Sequence, residues 1–202
     1  RTWASVLAAP VESIAWAIRV GGMANQKSKR IKSLLETLRS LHGSVTLGPL
    51  DTKSDDEILS FLSAFDGIGL KTAACVLLFS LGRDLLPVDT HVHRICNRLR
   101  LVPPTNSPER TFTLMRPLVP KGKAYPLHIN LILFGRTICR SALPFCGSCP
   151  LYRHCRYEQK ERRRGAAGEA PRPERAARPA ARPLVGEHRG GAQAEEHVDP
   201  AE

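Results

Sequence analysis

Apolar residues at positions 58, 62 and 65 recur at i, i+4 and i+7 behind Ser54-Asp55-Asp56-Glu57, which has the form of a capping box. This pattern predicts a short amphipathic helix running to about Asp66. Gly67 and Gly69 end it, and two residues later Thr72 to Leu81 is almost wholly apolar, which as a helix demands burial on nearly every side. A third helix is predicted after Pro87-Val88-Asp89-Thr90-His91: Asp89 stands where an N-cap belongs, and Val92, Ile95, Cys96 and Leu99 form one apolar stripe. The centre of the chain, FDGIGLKTAACVLLFSLGRDLLPVDTHVHR from Phe65 to Arg94, therefore reads as helix, tight Gly-Ile-Gly turn, buried helix and capped helix.

The flanking segments are helical as well. Val11 to Val20 carries Ile14, Ala17 and Ile18 until Gly21-Gly22 breaks it, and Gln26 to Leu41 carries Ile31, Leu34, Leu35, Leu38 and Leu41. Beyond Leu101, Pro103-Pro104, Pro117, Pro120 and Pro126 punctuate the chain, Ser107-Pro108 opens a short helix, and His128 to Ile138 is again apolar and helical. After Tyr157 the composition changes to Arg, Ala, Pro, Gly and Glu, so residues 158–202 are expected to form a disordered tail in which Arg162-Arg163-Arg164 is solvated.

Charge narrows the function. The formal net charge is +11 over 202 residues, but from Glu158 onward nine basic residues meet nine acidic ones. The whole excess lies in residues 1–157, a folded body whose basicity suggests a polyanion, DNA or RNA before a membrane. Lys27, Lys29, Arg30 and Lys32 cluster at a helix start, where they oppose the dipole unless an anion compensates. No signal peptide and no apolar run near 18 residues argue for export or a membrane span. An intracellular, cytoplasmic or nucleoid location is expected. The chain opens on Arg1 without a methionine and reads as a fragment whose start is missing.

Two constellations carry chemistry. The Gly67-Ile68-Gly69 turn exposes amides at the start of the helix it launches, where dipole and free donors favour a phosphate, although such a turn by itself is ordinary. Lys71 lies in the first turn of that helix, where the dipole opposes an ammonium and favours the free amine, the form that condenses with an aldehydic carbon. Eighteen positions on, Asp89 can cap its helix and still present a second oxygen to a reaction centre. The other constellation is Cys139, Cys146, Cys149 and Cys155, spaced x6, x2, x5. Four thiols at such spacing favour a metal over disulfides. A [4Fe-4S] cluster, a zinc ion and unligated or paired thiols all remain open on spacing alone. Cys75 and Cys96 lie on apolar faces and read as core thiols.

GIGLKTAACVLLFSLG followed by PVDTHVHRICNRL resembles the helix-hairpin-helix, glycine and aspartate motif of the endonuclease III family of DNA glycosylases and abasic-site lyases. Two departures stand out: the usual Leu-Pro-Gly before the turn is Phe65-Asp66-Gly67, which brings a negative charge there, and an often basic residue before the lysine is Leu70. The resemblance implies an all-α fold ending in an iron-sulfur loop. Residues 1–126 would be the helical glycosylase domain, 127–157 a helix and cluster loop. It implies Lys71 as the nucleophile on C1′, Asp89 as its assistant, Gly67 and Gly69 as phosphate donors, and a [4Fe-4S] cluster on Cys139, Cys146, Cys149 and Cys155. Arg136, with Arg140, Arg153 and Arg156, would lie near the DNA backbone. The implied partner is duplex DNA with a damaged base or an abasic site, bound by a monomer, with oxidised pyrimidines as substrates. A glycosylase for pyrimidine dimers or mismatched thymine, and a non-catalytic iron-sulfur or zinc DNA-binding module, are the alternatives.

Overall fold

The computed structural model describes residues 2–164, and among them every regular element is helical. In order these are α1 (Trp3–Ala8), α2 (Val11–Ala17), α3 (Ala24–His42), α4 (Asp55–Ser63), α5 (Leu70–Phe79), α6 (Thr90–Leu99), α7 (Pro108–Met115), α8 (Ala124–Thr137) and α9 (Lys160–Arg164). None of these helices is long and apolar enough to cross a membrane.

The capping box at α4 is formed: the Ser54 hydroxyl accepts from the Glu57 amide, and the Glu57 carboxylate accepts from the Ser54 amide at 2.9 Å. The helix stops at Ser63, short of the expected Asp66, because the chain must turn before Gly67, whose φ is +77°. α5 then starts at Leu70, two residues earlier than its apolar run, from an extended Gly69. Its Ala73, Ala74 and Leu77 are wholly buried, as the all-round apolar pattern requires. They pack with Ile58 and Leu62 of α4 and with Val92 and Ile95 of α6, each such large side chain contributing about 1.5–3 kcal/mol of transfer free energy.

Two expected boundaries move. Pro126 is not a break but the third residue of α8, where a proline is tolerated because first-turn amides lack partners within the helix. The division expected between residues 126 and 127 thus falls inside α8, and Leu131 of that helix belongs to the same core as Leu50 and Met115. The segment expected to be a disordered tail begins with a short helix: α9 packs over the turn at Cys146 so closely that a Cβ on Gly147 would lie 2.7 Å from the Arg164 carbonyl oxygen. The reason is the charges themselves. Lys160 donates to the carbonyls of Cys155 at 2.9 Å and Tyr152 at 3.4 Å, and the Lys160 and Arg164 cations stand over the Tyr152 ring. The remainder of that segment lies outside the described residues.

Close approach between α6 and α8 depends on Gly135. A Cβ there would stand 2.7 Å from Nδ1 and 2.8 Å from Cβ of His91, the second of which cannot swing away. Gly135→Ala is expected to destabilise the fold by about 1–3 kcal/mol through overpacking. A lower denaturant midpoint at unchanged slope is the checking measurement.

Candidate active site and cysteine loop

The turn leading into α5 leaves several backbone amides unpaired. The amides of Gly67, Gly69, Leu70 and Lys71 have no backbone acceptor among the described residues, whereas Ile68 donates back to Phe65 and closes the turn. Those free donors lie at the positive end of a ten-residue helix.

Lys71 is exposed on the first turn of that helix. One turn further on, burial pushes the Cys75 thiol above its ordinary pKa, the neighbouring Lys71 ammonium pulls the other way, and the Asp89 carboxylate adds to the rise. Asp89 caps α6 as the spacing predicts, its Oδ1 accepting from the Val92 amide at 2.8 Å. Its other oxygen has no hydrogen bond among the described residues and is available to a reacting group. Lys71 lies one turn before Cys75 on α5, and the opposite charges of Lys71 and Asp89 bear in opposite directions on both Cys75 and His128. Beside Lys71 a small pocket is lined by Leu70, Val88, Pro108, Glu109 and Phe112. The α7 contribution to it had no sequence signal beyond the Ser107-Pro108 helix start.

His128 holds Asp89's segment in place. It is 2% exposed, its Nδ1 donates to the Pro87 carbonyl at 3.0 Å, and its ring meets Phe79 edge-on. Burial lowers its pKa below the ordinary 6.5, against the Pro87 bond and Asp89, which raise it. The unfolded chain therefore accepts a proton that the folded one resists, so this contribution is complete above pH 6.5 and is lost on acidification. Thermal melts from about pH 8 to about pH 5 should show falling stability, with a shallower slope in His128→Gln.

The four cysteines surround one hollow, floored by Ile95, Leu99 and Phe134. Among the described residues no three of the possible ligands converge as a single-ion site. Four thiols lining one hollow are a donor set that fits a [4Fe-4S] cluster and, by ligand type, a zinc ion as well. Burial raises the pKa of Cys146 and Cys149, with the neighbouring cysteines adding to it.

Two arginines that sequence reasoning passed over tie this loop to α6. Arg94 donates to the carbonyls of Gly135 at 3.0 Å and Cys139 at 2.9 Å. Arg98 donates to Cys139 Sγ at 3.3 Å and to the carbonyls of Arg140 at 2.7 Å and Ser141 at 2.9 Å, with its guanidinium 4.1 Å from the Tyr157 ring centre. The signal available was a polar face on α6 spaced by four residues. Arg136 is exposed on the last turn of α8, and Arg140, Arg153 and Arg156 are exposed on the loop.

A hairpin that presents free amides and launches an amine-bearing helix against an aspartate-capped one is the architecture of the helix-hairpin-helix DNA glycosylases. Residues 1–121 match the family described as HhH-GPD superfamily base excision DNA repair protein, and this chain belongs to that family. It is 35% identical to Endonuclease III of Thermotoga maritima, over 87% of this chain and 76% of that protein. It is 32% identical over 77% of its length to DNA glycosylase/AP lyase ROS1 of Arabidopsis thaliana, and 34% identical over 77% to Protein ROS1C of Oryza sativa subsp. japonica. The chain spans only 12% and 9% of the length of these two plant relatives. Among solved structures, a non-covalent Endonuclease III-DNA complex superposes with a TM-score of 0.66 at 29% identity, covering 81% of this chain and 72% of that one.

Proposed function

We propose that this protein is a bifunctional base-excision DNA glycosylase and abasic-site lyase acting on duplex DNA, with oxidised pyrimidines as substrates. What supports the reading is an exposed Lys71 on the first turn of the helix whose leading amides are free, with Asp89 capping the next helix through one oxygen and leaving the other without a hydrogen bond among the described residues. The target nucleotide must leave the stack because C1′ is unreachable within it, at a cost of a few kcal/mol that damage reduces. The Lys71 amine nitrogen attacks C1′; as the new C1′–N bond forms, the bond to the base breaks and the base departs with its electron pair. The second oxygen of Asp89 takes up the amine's proton or steadies the positive charge developing on the sugar. Opening of the sugar yields the Schiff base, and loss of a C2′ proton expels the 3′ phosphate, breaking the strand 3′ to the lesion.

The amides of Gly67 and Gly69 grip a backbone phosphate, and Arg136 adds a further cation to the DNA-facing side. Cys139, Cys146, Cys149 and Cys155 hold a [4Fe-4S] cluster whose contribution when bound is structural, ordering the basic loop. The reading is of a monomer working on nucleoid DNA. Relatives named Endonuclease III and DNA glycosylase/AP lyase support the enzyme class.

Borohydride trapping on a duplex with one abasic site tests the proposal. A covalent adduct is expected. No adduct, with salt-sensitive binding intact, would sink the lyase and leave a non-catalytic DNA-binding module. Release assays on duplexes carrying oxidised pyrimidines, mismatched thymine or a pyrimidine dimer then assign the lesion.

A further inference from the structure

The cations at the start of α3 do not act as one patch. Lys27 donates to the Gly21 carbonyl at 3.0 Å and Lys32 to the Ala9 carbonyl at 2.9 Å, so two of the four tie down the turns around α1 to α3. Arg30 does something different. Its Nε donates to Asp66 Oδ2 at 3.0 Å, 36 residues away in the hairpin turn. Its guanidinium lies directly over Gly67, where an added Cβ would sit 2.5 Å from Nε and 2.6 Å from Cζ. Lys29, Ser33 and Phe65 line the shallow hollow between helix and turn. A fixed cation therefore stands over the turn that presents the free amides of Gly67 and Gly69.

The ion pair that holds Arg30 there is weak by its setting. The Arg30 side chain is 35% exposed and that of Asp66 is 83% exposed, and a pair so solvated gains little over its separated ions. A DNA phosphate offers the same guanidinium a bidentate, charge-assisted partner beside amides that favour an anion. We propose that Arg30 is a phosphate ligand of the hairpin, aimed by Asp66 in the free protein and exchanged onto a DNA backbone phosphate on binding. Asp66, freed of its partner, turns into water, which its exposure permits. The aspartate that interrupts the usual Leu-Pro-Gly turn is then a placeholder for the phosphate rather than a flaw in the DNA-binding surface.

The inference rests on duplex DNA being the ligand, and its test is independent of chemistry at Lys71. The measurement is equilibrium binding to a duplex carrying a tetrahydrofuran abasic analogue at several salt concentrations, with Arg30→Gln, Asp66→Asn and the double variant. Arg30→Gln is expected to weaken binding roughly three- to tenfold and to reduce the salt slope by about one. Asp66→Asn should tighten binding, and most of that gain should vanish when Arg30 is also replaced. Unchanged affinity and slope in Arg30→Gln would overturn the proposal, as would equal tightening by Asp66→Asn in both backgrounds, since Asp66 would then act by its own charge alone. Asp66 is exposed and Arg30 half-buried, and melting curves alongside the binding confirm that each variant is folded. Loss of trapping in the wild type with the Arg30 effects intact would remove the proposed enzyme and keep this site; the converse would remove the site and keep the enzyme.

Discussion

Lys71→Gln is expected to abolish borohydride trapping and to slow strand cleavage at an abasic site by about 10⁴-fold or more, because a nucleophile that makes the covalent intermediate has no substitute. The amide nitrogen of glutamine has no lone pair free to attack C1′, so no imine forms at that position. Binding should change little. The free amides that precede α5 belong to the backbone, and a neutral side chain at a helix N-terminus suits the dipole at least as well as an ammonium. Fold stability should also hold, since Lys71 is exposed while the buried contacts of α5 come from Ala73, Ala74, Leu77 and Leu78. Single-turnover cleavage beside equilibrium binding checks both halves. Residual trapping in Lys71→Gln would move the nucleophile elsewhere, and an equal loss of binding would show that the lysine serves DNA affinity rather than chemistry.

The second large effect concerns the loop. Cys139→Ala removes one thiolate of the four and also the sulfur to which Arg98 donates. The broad visible absorbance of an iron-sulfur protein, expected from anaerobically prepared wild type, should be absent, and the segment from Cys139 to Arg164 should become sensitive to protease. That segment has few apolar anchors of its own; its order comes from cations on carbonyls and rings, including Lys160 on Cys155 and Arg98 on Arg140 and Ser141. DNA affinity should fall by about tenfold or more as the loop arginines lose their fixed positions. The core around α5 should survive, because Ile58, Leu62, Leu77 and Val92 belong to its buried centre and none of them lines the cysteine hollow. Wild-type protein that carries zinc and no visible absorbance would overturn the cluster assignment, and a variant that loses the absorbance but keeps full affinity would remove the loop from the DNA interface.

Much of this site could be read along the chain because its parts are local. The caps at Ser54, Asp89 and Ser107 each bond an amide three residues on, so residue type and short spacing suffice to place them. The Gly67 turn, the amine in the first turn of α5, the buried faces of α5 and α6, and the cysteine spacing are likewise set within a few residues. Element ends were less legible. Pro126 inside α8 and the short α9 depend on what packs against them, and proline's usual role as a breaker and the Pro- and Gly-rich composition after Tyr157 point the other way.

What the sequence by itself determined was the order of helices, the turn that frees the amides, and the choice of Lys71, Asp89 and the four cysteines as the candidates for chemistry. Only the tertiary structure decided where the cations go. Lys27 and Lys32 are spent on carbonyls, Arg30 reaches Asp66 across 36 residues, and Arg94 and Arg98 reach Cys139 across 45 and 41. His128 meets Pro87 from 41 residues away. A long, flexible charged side chain bonds whichever acceptor the packing of helices brings within 3 Å or so, and no periodicity along the chain encodes that meeting.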